Sequence, residues 1–114
     1  AENGYVKYSE QAGDEIMFTF EGTGASIEGW WVKNGGKADV YVDGIFKRTI
    51  DCFYYYAKQE HRNINIFHIL NLEEGKHTIN IVVKGEKREE SEGCAIGVRG
   101  AIVFKNGTKS YDAI

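Results

Sequence analysis

The stretch DCFYYYAKQEHR, residues 51 to 62, sets four aromatic residues in a row, Phe53 to Tyr56, and follows them with Lys58, Glu60, His61 and Arg62. A strand that buries one face alternates apolar with polar residues, and this stretch does not. Its residue types suit recognition of a sugar. An aromatic face stacks on the apolar C–H face of a pyranose ring, and planar polar side chains bond its hydroxyls. Trp30, Trp31 and the tyrosines Tyr54 and Tyr56 supply the first kind of contact, and Glu28, Lys33, Asn34, His61 and Arg62 the second. His61 and Arg62 also suit an anionic group such as a uronate. Two alternatives use the same residues: the tyrosines pack on a neighbouring domain, or the charged residues belong to a solvated loop. Strand parity separates the two tryptophans. Trp31 shares a face with Ile27 and is expected to cap the core, whereas Trp30 shares a face with Ser26 and Glu28 and is expected on the outer face, turned either to a ligand or under a loop or neighbouring domain.

Catalytic signatures are lacking. The chain has no G-x-S-x-G elbow, no H-E-x-x-H and no phosphate loop, so it reads as a non-enzyme. Cys52 and Cys94 fit no zinc spacing. They read as free thiols, with a bridge left open should the fold bring them together. The run EKREESE holds clustered carboxylates without the regular spacing of a cation loop, and reads as solvent-facing.

These residues need elements to position them. The chain has 114 residues, a formal net charge of −3, 14 glycines and no proline, which fits one all-β domain with tight turns. No basic stripe points to nucleic acid, and no run of about 18 apolar residues points to a membrane span. The first residues, Ala1-Glu2-Asn3, fit a processed chain or a piece of a longer one. Turn signals divide the chain into strands at 5–8, 15–20, 25–32, 38–43, 45–50, 63–70, 77–84 and 94–104. Asp43-Gly44 is the clearest hairpin signal. Eight or nine such strands predict an antiparallel β-sandwich. If successive strands run up and down, the long loops 32–37, 51–62 and 85–93 share one end. That is where a rigid sandwich usually carries its site.

Two segments carry a family pattern: FTFEGTGASIEGWWVKNGGKADVYVDGIFKRTID and FHILNLEEGKHTINIVVKGEK. Phe18-Thr19-Phe20, Gly22-Thr23-Gly24, Ala38 to Gly44 and Leu72 to Lys87 resemble galactose-binding-like β-sandwich modules found beside catalytic domains in bacterial polysaccharide-degrading enzymes and esterases. The resemblance covers roughly residues 14 to 104. It implies a jelly roll of about eight or nine strands and a non-catalytic module that holds an attached catalytic domain on polysaccharide or oligosaccharide. It also implies a secreted chain, extracellular, periplasmic or at the cell surface, whose signal peptide has been removed. Some such modules only pack against their catalytic neighbour, and a protein-binding surface or adhesin module is a third reading. No cofactor is expected. Relatives of this type can hold a structural calcium with early acidic residues, but here only Glu2 and Glu10 lie early and no ligand cluster stands out.

Overall fold

Alternation decides which residues face inward. In Lys37–Val42 the side chains of Ala38, Val40 and Val42 are buried and those between are not, and Gly75–Val83 buries Ile79, Ile81 and Val83 in the same way. A strand with one covered face needs this period of two. The computed structural model describes residues 2–3, 6–53, 61–105 and 108–113, with the backbone alone for 2–3, 6, 61–63, 108 and 112–113. The strands are β1 (Glu2–Asn3), β2 (Val6–Ser9), β3 (Glu15–Gly22), β4 (Gly24–Trp31), β5 (Lys37–Val42), β6 (Ile45–Asp51), β7 (His61–Ile69), β8 (Gly75–Val83), β9 (Ile96–Lys105) and β10 (Thr108–Ala113). No helix occurs among the described residues.

The strands form two antiparallel sheets. One has six strands, in the order β1-β2-β9-β4-β7 with β10 also on β9; the other has four, in the order β3-β8-β5-β6. The expected antiparallel sandwich is therefore the observed fold. The pairings are nested: β5 with β6, β4 with β7, β3 with β8, β2 with β9. Successive pairs fall in alternate sheets, so the chain is one long ribbon wound into a jelly roll. Its tip is the tight turn at Asp43 (φ 53°) and Gly44 (φ 80°). Positive φ at both positions is what an Asp-Gly pair favours.

The core fills the space between the sheets. Phe20, Val40 and Ile79 come from one sheet; Ile27, Phe67 and Val103 come from the other. A smaller cluster of Trp30, Val32 and Ala95, with Tyr8 against it, lies apart from this core. Residues 108–113 lie beyond the last strand expected from the sequence. They form β10 against the free edge of β9, in register from Thr108↔Lys105 to Ala113↔Gly100.

Bulges adjust the six-stranded sheet around Glu28. The register of β4 with β9 shifts between Glu28 and Gly29, and that of β4 with β7 shifts between Ile27 and Glu28 and again before Trp31. The inward residues of β9 change phase accordingly, from Ile96 and Val98 to Ala101 and Val103. Each extra residue bends its strand and re-aims the side chains beyond it.

The connections sort by end. At one end the backbone of Val32 donates to Cys52, Gly36 to Ala95, Lys37 to Glu86 and Glu92 to Lys33, so the three long loops meet. At the other end Thr23 donates to Phe104, Leu72 to Thr23 and Asp43 to Thr78.

Candidate functional site

The segment 32–36 is the hub of the long-loop end. Its backbone runs between the other two loops: Cys52 N donates to Gly36 O at 2.9 Å on one side, and Gly36 N donates to Ala95 O at 3.0 Å on the other. That close passage requires glycine. A Cβ on Gly35 would fall 1.8 Å from Cys52 O, and one on Gly36 would fall 2.5 Å from Cys94 Cα. Ser91 completes the knot. Its buried hydroxyl lies 2.7 Å from Gly35 O and 2.9 Å from Gly93 O, so the loop expected to be open to solvent is pinned at this point. Both cysteines are free, with the 35–36 segment passing between their strands. Burial, reinforced by the Asp51 charge, pushes the Cys52 thiol up to about 12, so it stays neutral and is no nucleophile.

The two tryptophans exchange the environments expected for them. Trp30 is 6% exposed and Trp31 36%. The outer face beside Trp30 is covered, not open. Gly97 offers no side chain there, since a Cβ would fall 2.2 Å from Trp30 Cδ2. Tyr8 of β2, in register with Gly97, reaches over the glycine and stacks on the indole at 5.1 Å between centroids and 25° between planes. The expectation that Trp30 faces a ligand is thus corrected: a covering strand, invisible to parity along β4, buries it.

Trp31 lies at the open side of the sandwich between β6 and β7. With Asp51, Ile64, Asn65 and Ile66 it lines an open depression of about 380 Å³. Asp51 is held from two sides. Its Oδ1 accepts the Phe53 backbone N–H at 3.1 Å, and its Oδ2 accepts Arg88 Nε at 3.0 Å with Nη2 also at 3.0 Å. The Arg88 guanidinium in turn lies 5.7 Å from the centre of the Phe53 ring, within cation–π range. A carboxylate has about four lone-pair positions, so Asp51 keeps acceptor capacity toward the depression. Asn65 Nδ2 donates to Ser26 Oγ, which leaves its carbonyl oxygen and its second N–H.

The other expected site residues divide as follows. His61 stands opposite Trp31 in the β4–β7 register, and Arg62 is next to it on β7; both are described by backbone. Tyr54 and Tyr56 lie outside the described residues. Glu28 is half-buried mid-sheet, between Gly100 and Asn65, and is not among the residues that line the depression. Asn34 is half-buried on the turn after β4, and its carbonyl accepts Ala95 N–H at 2.8 Å. Sequence reasoning missed Asp51, which ion-pairs with Arg88 of a distant loop and lines one depression with Asn65 of β7. Among the described residues no three His, Cys, Asp or Glu side chains are grouped to hold a metal ion.

A second titratable pair sits at the opposite end. His77 Nδ1 is 2.6 Å from Asp43 Oδ2, and its Nε2 is 2.6 Å from Glu73 O. Both partners only accept, so a ring protonated at both nitrogens satisfies both, and the arrangement favours the imidazolium. The Asp43 hydrogen bond raises the His77 pKa, and His77 in turn lowers that of Asp43. Asp43 Oδ1 also takes the Thr78 N–H at 2.9 Å. With both nitrogens committed, this pair locks a turn.

No protein-family model matches the chain. Over 79 residues it is 35% identical to an A type blood N-acetyl-alpha-D-galactosamine deacetylase of Flavonifractor plautii, covering 69% of this chain and 10% of that enzyme. Over 81 residues it is 31% identical to an A type blood alpha-D-galactosamine galactosaminidase of the same organism, covering 71% of this chain and 7% of that one. A xanthan lyase of Paenibacillus shares the fold, with a TM-score of 0.56 and 13% identity over 85% of this chain and 10% of the lyase. The chain thus corresponds to a tenth or less of each of these three proteins. It is a β-sandwich related to a small part of carbohydrate-active enzymes.

Proposed function

We propose that this chain is a non-catalytic carbohydrate-binding module of the galactose-binding-like kind, which holds an attached glycan-degrading enzyme on its polysaccharide. The observation that carries this reading is the half-exposed Trp31 beside Asp51 and Asn65, at the end where the long loops converge. An indole, a carboxylate and an amide around one depression are the contacts a pyranose needs: a stacking face and fixed hydroxyl partners. The relatives support it, since both are named for acting on amino sugars and the chain matches only a small part of each. Such a module acts by effective concentration, keeping the enzyme near a substrate that it meets repeatedly. The chain is expected to act outside the cytoplasm, where such polysaccharides are met.

Tryptophan fluorescence tests this directly, because the chain holds two tryptophans in opposite environments. The titrants are blood-group-A-type oligosaccharides ending in N-acetylgalactosamine, mucin and xanthan fragments. A saturable change that survives Trp30→Phe and is lost in Trp31→Ala supports the site. A folded protein that responds to none of them would instead favour a structural domain packed against its catalytic neighbour.

A further inference from the structure

The outer face of the four-stranded sheet contains a row that combines exposed apolar side chains with a mid-strand amide. Met17 of β3 pairs with Asn80 of β8, Asn80 with Tyr41 of β5, and Tyr41 with Phe46 of β6. Residues paired in register share a face, so four positions far apart in sequence form one line across all four strands. Met17 is 60% exposed and Phe46 52%. Tyr41 and Phe46 meet edge to face, with centroids 5.7 Å apart and planes at 70°.

Two of its members run against local rules. Asn is a poor strand former, yet Asn80 stands within His77-Thr78-Ile79-Asn80-Ile81-Val82-Val83, and its amide makes no hydrogen bond among the described residues. Phe46 exposes an aromatic ring on the edge strand of its sheet, where exposed apolar groups invite unwanted pairing. The neighbouring rows are ordinary by comparison. Thr19 and Thr78 hydrogen-bond at 3.2 Å, and Thr49 donates to Asp39 at 2.6 Å while Lys84 lies 3.6 Å from the same carboxylate. Departures from local rules that gather in one place point to function.

We infer that this row, Met17–Asn80–Tyr41–Phe46, is a second glycan-binding strip, which takes the apolar faces of successive rings of a polysaccharide chain laid across the strands. The inference rests on the carbohydrate reading above but uses a different face. Its shape and its polarity argue for this occupant. Three strand spacings make the row about 14 Å long, and one residue repeat makes it about 7 Å wide. That is far below the roughly 800 Å² per partner of a stable protein interface. Protein interfaces also have apolar centres and polar rims, whereas here an amide with free donors and acceptors stands mid-row between Met17 and Tyr41. An aromatic pair with an amide beside it fits a ligand that offers both C–H faces and hydroxyls.

Native gels cast with xanthan or mucin test the full chain against long polymers, and Trp31 fluorescence follows short oligosaccharides. Phe46→Ala and Tyr41→Ala are expected to weaken retardation about tenfold each. Asn80→Val separates binding from folding: it should match or exceed the wild type in melting temperature, because Val suits a strand better, and still lose retardation. The oligosaccharide response at Trp31 should be unchanged in all three. If these variants are retarded like the wild type, the strip is overturned while the Trp31 site stands. Failure of both assays in the wild type overturns both readings. A concentration-dependent rise in mass by sedimentation, abolished by Phe46→Ala, would assign the row to self-association and overturn the inference.

Discussion

Replacing Trp30 by Ala removes a buried indole and leaves Tyr8 stacked on nothing. The expected cost is about 3–5 kcal/mol, against on the order of 1 kcal/mol for the more exposed Trp31→Ala. Urea unfolding at matched m-values checks this, and equal losses would contradict the assignment of the two rings. The sequence cannot show the difference. Parity along β4 sorts the faces, but burial of the outer face depends on Tyr8, two strands away, crossing Gly97 of the adjacent strand, and that requires the register of β2 on β9. His77 makes a pH prediction of known sign. Its pKa is raised above the ordinary 6.5, so its contribution is complete below about 6.5 and is lost as pH rises through the higher folded value. Asp43 is lowered from 3.8, so its contribution is present above that value and lost as pH falls through the lower folded one. The lock is therefore strongest between about 3.8 and 6.5. The melting-temperature gap between wild type and His77→Gln should be wide at pH 5.5 and narrow at pH 9. A gap independent of pH would mean that the imidazolium charge contributes nothing.

At the scale of elements, two glycine substitutions separate close packing from backbone strain. Gly35→Ala places a methyl 1.8 Å from a backbone oxygen that cannot swing away, with an expected loss of ~3 kcal/mol. Gly44→Ala meets open space and bears only its positive φ, at about 1–2 kcal/mol. The reverse ranking in thermal melts would show that the loop hub yields easily. The same hub governs thiol chemistry. Cys52 is buried with a raised pKa, and Cys94 is half-buried. Brief iodoacetamide treatment of the native chain at pH 8 should therefore label Cys94 before Cys52, and both after unfolding. These elements were unevenly legible in the sequence. The alternating strands, the Asp43-Gly44 turn and the meeting of the long loops follow from local pattern and strand parity. β10 does not, because TKSYDA has no alternation and is a strand only through the edge of β9. The Asp51–Arg88 contact was equally hidden, since it joins the end of a strand to a loop that reads as solvated.

For the whole molecule, the nested pairings set an order in which contacts become affordable in entropy. β5 and β6 are joined by two residues, so their pairing closes a short loop. β4 with β7, β3 with β8 and β2 with β9 each enclose the previous pair and close ever longer loops. Closure entropy grows with loop length, but the increment shrinks once the inner pair has already drawn the ends together. Folding is thus expected to start at the Asp43–Gly44 tip and proceed outward, over milliseconds to seconds as in other sandwiches dominated by non-local pairs. Variants at the two ends of this order should divide kinetically. Gly44→Ala, at the tip, should chiefly slow folding, whereas Tyr8→Ala, in the outermost pair, should chiefly speed unfolding. Chevron plots of the two variants beside the wild type measure both limbs at once. If Tyr8→Ala slows folding as much as it destabilises, the outer strands dock in the transition state. The ribbon then closes from its ends, and the Tyr8–Trp30 stack would be part of the folding nucleus.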